Sequence, residues 1–401
     1  MRDLTTRRSF LQAVGFGTTG LGLSQASIRS QDKPVQGFEK AAYDTKVSNG
    51  WRPISDRKIR VGLVGYGFCR FAAEFSFQHH PNVDVVAVSD LLPDRCAELA
   101  RVVGCKKTCP SLEELVKDDR IEAVFVATDA PSHARHCMEV LKHGKHAVSA
   151  VPAVFGSLSE ADDLFNAVKK SGLKYMMFET SCFREDLFAM RQIYQAGGLG
   201  KLVYSEGEYF HYMEQPLPSY KDWRVGLPPQ WYPTHSNAYY VGVTGGSFTE
   251  VSCMGMPSHI HHLQATNNRY KNPFGSEIAL FRTSEGGMSR MAVSWDTPRY
   301  EGEMGRIRGQ RGSYYGRYQS LEKNLPPITR PPLPPKVDPG GHGGSHGHLM
   351  NEFIAAILED RKPMVDIARA LNMTVAGIVA HKSALKDGET LKVPQLERSK
   401  T

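Results

Sequence analysis

Tyr232 and His235 stand three residues apart in the run Trp231-Tyr232-Pro233-Thr234-His235-Ser236. An imidazole titrates near neutrality and can take a proton from a hydroxyl, and a phenol can give or accept one at a neighbouring carbon. Thr234 and Tyr209 offer neutral hydrogen bonds suited to a hydroxyl-rich ligand, and Arg224 offers a charged donor. The same residues also fit a loop whose tyrosine packs and whose histidine is merely hydrogen-bonded. Their chemistry depends on what stands opposite them.

A second constellation lies nearer the start, in "KIRVGLVGYGFCRFAAE" from Lys58 to Glu74. An apolar strand, Ile59 to Val64, runs into Gly65 and Gly67 and then into helix-forming residues. Gly65 permits a tight turn, and Gly67 lets the backbone, with Phe68 and Cys69 beside it, approach a pyrophosphate at the start of a helix. Arg70 stands where a third glycine is expected. Asp90, 25 residues beyond Gly65, ends the next apolar run and can accept both ribose hydroxyls while repelling a 2′-phosphate. NAD is therefore favoured over NADP, although Asp90 also fits as the anchor of the turn "SDLLPDR".

The elements that position these groups fall into two regimes. From Lys58, short apolar strands alternate with amphipathic helices: Val83 to Val88 then Pro93 to Val103, Ala123 to Ala127 then His133 to His143, Ala147 to Ser149 then Leu158 to Ser171, and Tyr175 to Met177. Such alternation predicts a parallel sheet covered by helices, with binding at the carboxyl ends of its strands. Beyond about Asp186, strands follow one another without crossovers at Leu202 to Tyr212, Gly246 to Cys253, His259 to Thr266, Glu277 to Thr283 and Gly287 to Trp295. They predict an open, mostly antiparallel sheet. A Pro-rich tract over 325–348 reads as a loop, and helices are expected near 349–359 and 367–386. The fold class is α/β, a Rossmann dinucleotide-binding domain over 57–182 followed by an α+β substrate domain over 183–401.

The 401 residues carry a formal charge of +7, and their Lys and Arg are scattered rather than striped, which argues against a nucleic-acid partner. Arg7-Arg8 before Ser9-Phe10-Leu11 and an uncharged, Gly-rich run resembles a twin-arginine export signal over residues 1–30, followed by a linker over 31–56. The run is too short to span a bilayer in the mature protein, so a periplasmic or extracellular location is expected. Seven cysteines without a framework spacing read mainly as small buried hydrophobes, with Cys105 and Cys109 as a conceivable pair.

"KIRVGLVGYGFCR", "VSDLLPDR", "IEAVFVATDAPSHARHCMEVLKHGKHAV" and the later "AVP" together resemble the Gfo/Idh/MocA oxidoreductase family over about residues 58–390. The resemblance implies a Rossmann domain, NAD or NADP, and a sugar or cyclitol substrate, with Thr128 and His133 on the nicotinamide-ribose side. Homo-oligomers through the open sheet are common in that family. Most members carry Glu-Lys-Pro where this chain has Ala150-Val151-Pro152, and Val151 cannot steer a hydroxyl.

A lysine-lacking branch, the NAD-dependent glycosidases of the α-N-acetylgalactosaminidase type, is similar in "KYMMFETSCF", "SEGEYFHY", "WYPTHS" and "VSWDTP". Carried over, Tyr232 and His235 are catalytic, and Tyr209, Arg224, Thr234 and Tyr314 bind substrate. Gly65, Gly67, Phe68, Cys69, Asp90, Thr128, His133, Ala150, Val151 and Thr180 hold the cofactor, with Glu179 and Tyr315 standing behind these groups or touching the substrate. Two chemistries follow: oxidation of a carbohydrate by a tightly held NAD with reduction of a second sugar or carbonyl compound, or redox-neutral hydrolysis of a glycoside. A non-catalytic sugar-binding protein is the third reading. No metal is expected, and "GGHGGSHGH", with His342, His346 and His348, is read as a flexible loop closing on the cleft.

Overall fold

The apolar runs before the first glycine turn form strand β1 (Ile59–Val64) because valine, isoleucine and leucine, buried on both faces, favour a central parallel strand. The computed structural model describes residues 50–299, 302–320 and 324–396. The expected export signal and most of the linker lie outside the described residues. Around β1 stand β2 (Val83–Ser89), β3 (Thr108–Cys109), β4 (Ala123–Val126), β5 (His146–Ser149) and β6 (Tyr175–Met177). The order is β3-β2-β1-β4-β5-β6, and every pairing is parallel. The chain reverses direction of winding between β1 and β4, which opens a crevice at the carboxyl edge.

Crossover helices Pro93–Val103, His133–Lys142 and Leu158–Ser171 lie where their periodicity predicts. Pro93 opens the first of these and a left-handed Gly104 closes it. Ser157 accepts from the amide of Glu160 to start Leu158–Ser171, and Gly172 ends that helix in the left-handed region. All seven cysteines are free, Cys105 and Cys109 included.

The second sheet has eight strands: β7 (Leu202–Phe210), β8 (Phe248–Pro257), β9 (Phe274–Thr283), β10 (Met288–Ser294), β11 (Gly302–Gly309), β12 (Gly312–Tyr315), β13 (Arg317–Ser320) and β14 (Leu391–Lys392). Their order is β13-β12-β11-β7-β10-β9-β8-β14, with only β7 and β10 parallel. One face is left open, and Met254, Met256, Ile278, Leu280 and Met304 are exposed. The strand expected over His259 to Thr266 is instead two short 3₁₀ turns, His261–Leu263 and Ala265–Asn267. Pro257 ends β8, and the Asn268 side chain ties the Gln264 and Asn272 carbonyls into a turn.

The covered face of this sheet carries helix Thr234–Thr244, where sequence suggests a loop. Gly207 and Gly305 are register partners on β7 and β11. A Cβ on Gly207 would come within 2.1 Å of the Ser236 carbonyl oxygen, and one on Gly305 within 2.2 Å of the Tyr239 ring. Two adjacent glycines thus let the helix sink onto the strands. The chain then returns to the first sheet through helices His346–Leu358 and Ile367–Ala384. The Met177 amide donates to Val365 O at 3.0 Å, and Phe353 and His346 lie against Phe178 and Phe75 of the first core. Among the described residues no helix is long and apolar enough to cross a membrane.

Candidate active site

The crevice at the carboxyl edge is a cleft of about 260 Å³ whose lining joins both halves of the fold. Gly65, Gly67, Phe68, Cys69, Asp90, Thr128, His133, Ala150 and Val151 line it from the first sheet, and Trp223, Arg224 and Tyr232 from the second. Cys69, Ala150, Val151, Arg224 and Tyr232 also line a deeper cavity of about 30 Å³ with Thr180, Tyr209, His211, His235 and His342. Tyr232 and His235 are therefore brought against the strand edge that carries the glycine turn.

The turn itself is built for close approach. Gly65 has a φ of 98°, and a Cβ there would lie 2.3 Å from the Ala127 carbonyl oxygen, so only glycine fits beneath β4. A Cβ at Gly67 would meet nothing within 4 Å, which leaves its backbone open to a ligand. Asp90 Oδ2 accepts from the Tyr66 amide at 2.6 Å and Oδ1 from the Leu92 amide at 2.8 Å. Each oxygen can accept a further hydrogen bond and Asp90 lines the cleft, so the carboxylate can anchor the turn and also bind a ribose. These features fit a dinucleotide. Arg70, in the place of a third glycine, sits at φ 50°, and the helix after it, Phe71–Glu74, is a single turn. The expected helix N-terminus is thus too short to contribute much, and the loop amides carry phosphate recognition.

His133 works at the wall of the cleft. Its Nδ1 lies 2.8 Å from Pro152 O and its Nε2 3.2 Å from Thr128 O. Burial pushes its pKa down, so the neutral ring donates from one nitrogen and clasps β4 to β5. The Val151–Pro152 peptide is cis, and Thr128 Oγ1 is bonded to His136 Nδ1 at 2.9 Å.

At the inner end, His235 Nδ1 donates to Glu179 Oε1 at 2.7 Å, and Thr180 Oγ1 lies 3.3 Å from the same nitrogen. The other ring nitrogen is left for the cavity. Burial lowers the pKa of His235, but Glu179 and Glu303 outweigh it and the net shift is upward. Glu303 Oε2 accepts from Ser181 Oγ at 2.6 Å. Burial raises the Glu303 carboxyl, yet His235 and His342 hold it below the usual range. Tyr209 crosses His235 with ring centroids 4.4 Å apart and Tyr232 at 5.6 Å. Burial pushes the Tyr232 phenol up to about 12 against the pull of Arg224, so it remains a proton donor at neutral pH.

Three expected residues lie elsewhere. Thr234 is buried beneath the cleft with an unpartnered hydroxyl, and neither cavity includes it. Tyr314 lies on β12, where Asp186 and Glu185 act on it, and Tyr315 is exposed beside Arg306. The segment expected as a flexible loop is buried instead. His342 stacks 5.9 Å from His235, His346 lies on Phe75 at 4.2 Å, and His348 faces Phe183 at 6.1 Å. Its glycines permit left-handed turns at Gly340 and Gly343 that fold the imidazoles inward. Among the described residues, ligand atoms of His235, Glu303 and His342 lie within 4.8 Å of one another, though His235 Nδ1 is engaged by Glu179 and His342 Nδ1 by His346.

Glu303, His211 and Trp223 were not foreseen as site residues. The alternation Glu303, Gly305, Ile307 marks one face of a strand and was the signal available for Glu303.

Residues 59–179 match the oxidoreductase family with an NAD-binding Rossmann fold, Gfo/Idh/MocA. A glycosyl hydrolase family 109 protein 1 of Phocaeicola vulgatus is 30% identical over 179 residues, which is 42% of this chain and 37% of that relative. The match thus spans little more than a third of that relative's length. A glycosyl hydrolase family 109 protein of Solibacter usitatus is 22% identical over 99% of this chain and 98% of its own. Among solved structures, levoglucosan dehydrogenase in complex with NADH and L-sorbose has a TM-score of 0.69 at 17% identity, covering 85% of this chain and 100% of that one. Apo scyllo-inositol dehydrogenase from Lactobacillus casei has 0.66 at 15% identity, covering 85% and 99%. Residues 59–179 are thus similar to the Gfo/Idh/MocA NAD-binding Rossmann fold, and the fold over 85% of the chain is shared with these dehydrogenases.

Proposed function

We propose that the protein is an NAD-dependent oxidoreductase that oxidises a hydroxyl of a carbohydrate or cyclitol, keeps its cofactor tightly bound, and restores that cofactor by reducing a second sugar or carbonyl compound in the same site. The reading rests on one observation: Gly67, Asp90 and Val151 share a cleft with Tyr232, and Val151 and Tyr232 also line the deeper cavity that holds His235. Bound NAD would supply the hydride acceptor, held by the loop amides of Gly67 and Phe68, the Asp90 carboxylate, Thr128 and the Ala150–Val151 edge. His235 takes the hydroxyl proton on the nitrogen facing the cavity, and Glu179 steadies the imidazolium that results. Tyr232 stays protonated and donates to the same or the neighbouring oxygen. Val151 gives apolar contact only, so the lysine's usual duty passes to these two side chains.

A tightly held cofactor suits the proposed twin-arginine export to a compartment without a nicotinamide pool, and the exposed face of the second sheet suits a homo-oligomer. Asp90 favours NAD over NADP. Purified protein, denatured, is expected to release NAD into the supernatant. Protein that releases no nicotinamide and binds none when supplied overturns the reading.

Redox-neutral hydrolysis of a glycoside is the second reading, favoured by Tyr232-Pro233-Thr234-His235, by Val151, and by the names of the relatives. It requires solvent deuterium at C2 of the released sugar, and turnover without that label eliminates it.

A further inference from the structure

A guanidinium is charged at every accessible pH and carries five N–H donors. Arg224 places its own in the inner part of the cleft, 4.2 Å above the Trp223 ring and 5.7 Å from that of Tyr232. Its side-chain hydrogen bonds go to the Tyr232 phenol and the Cys69 thiol, both neutral. Among the described residues no carboxylate forms an ion pair with it. A buried or half-buried cation without an anion is costly, and such a charge is ordinarily paired.

The surroundings sharpen the anomaly. The deep cavity is lined by Arg224, His211, His235 and His342 and by no carboxylate, since Glu179 and Glu303 stand behind His235. Arg224 is the single Lys or Arg among the described residues lining it. The cofactor's phosphates have other cations, because Arg70, Arg95, Arg135 and Lys221 line the outer cleft and none of them reaches the deep cavity. The counter-ion missing from Arg224 is therefore expected at the substrate end.

We propose that the substrate is an acidic sugar, a hexuronate or aldonate, whose carboxylate is gripped by Arg224 while a ring or chain hydroxyl faces His235 and Tyr232. The inference rests on the oxidoreductase reading above. Planar two-point pairing of guanidinium with carboxylate would fix the sugar's orientation as well as its charge. The carboxylate itself makes and breaks no bond.

The test uses the full protein with its bound nicotinamide. Glucuronate and galacturonate are compared with glucose and galactose, by reduction of the nicotinamide and by quenching of tryptophan fluorescence, which Trp223 beneath Arg224 should report. The acids are expected to bind or turn over roughly 10- to 100-fold better, the range of a charge-assisted hydrogen bond. Arg224→Gln should erase that preference, bringing the acids to the level of the neutral sugars, and leave NAD affinity within about threefold. Arg224→Lys should restore part of it. Equal handling of acids and neutral sugars by the unaltered protein overturns the inference, even where Arg224→Gln fails to fold. So does a variant that loses NAD affinity in step with every sugar, which would assign the guanidinium to the cofactor. Protein without nicotinamide sinks the underlying reading instead, so the two failures are distinguishable.

Discussion

Glu179 stands behind His235 as the group that decides when the imidazole is charged. Its Oε1 also accepts from the Ser181 amide at 2.9 Å, while Oε2 is buried without a partner. Because Glu179 and Glu303 raise the His235 pKa despite burial, a reaction that needs the neutral ring loses rate as pH falls through a midpoint above the ordinary histidine value of 6.5. Glu179→Gln removes one of the two raising charges and is expected to move that limb of kcat/KM to lower pH. A pH–rate profile checks it, and an unmoved limb would mean that another group titrates. His235→Ala should cost on the order of 10²- to 10⁴-fold in turnover and leave nicotinamide content unchanged. At this scale the sequence was readable where residue type and motif coincide, as at Asp90, Tyr232 and His235. Glu303 was harder to read: the alternation places it on one face of a strand, but a carboxylate in "RYEGEMG" looks like a solvated charge until β11 pairs with β7.

Elements differ in how openly their sequences declare them. The first sheet's strands are buried on both faces, so they read as continuous apolar runs punctuated by glycine and proline. Helix Thr234–Thr244 declares nothing. It is buried all round, and only part of its polar complement is satisfied: Asn237 Nδ2 donates to Met373 O at 2.7 Å and Ser236 Oγ to Pro233 O at 3.0 Å, while Thr234 Oγ1 and Asn237 Oδ1 lack partners among the described residues. Strand β11 is likewise hidden, since Gly305 reads as a breaker although its lack of a side chain is what admits the helix. Gly305→Val should therefore push Tyr239 and the helix away from the sheet at a cost of roughly 1–3 kcal/mol, visible as a lower urea midpoint. Turnover should fall more than cofactor content, because His235 rides on that helix. Gly65→Ala acts on the other wall. Its Cβ meets backbone rather than a movable side chain, so nicotinamide content of the purified variant should drop sharply.

Across the whole molecule, buried histidines make the native state sensitive to acid. Burial holds His80, His136 and His211 at about 4 and His348 at about 3. In the unfolded chain each would titrate near 6.5, so the unfolded state binds more protons as pH falls, and stability is lost from about 6.5 downward. His235, raised instead, works in the opposite direction, but four depressed groups outweigh one. Each should contribute on the order of 1–2 kcal/mol of lost stability between about pH 7 and pH 5, measurable as a falling urea midpoint. A midpoint that holds steady across that interval would mean these rings accept protons without unfolding.

The return of the last two helices to the first sheet has a practical corollary. Sequence suggests a nucleotide-binding module that stops near Phe183, yet Phe75 and Phe178 are roofed by His346 and Phe353, and the free edge of β6 is tethered at Val365. A gene fragment cut at that point would expose aromatic surface with nothing to cover it. It is expected to precipitate when expressed alone and to become soluble when the remainder is co-produced. Modular exchange of the amino-terminal half between cousins should fail unless the carboxyl tail travels with it.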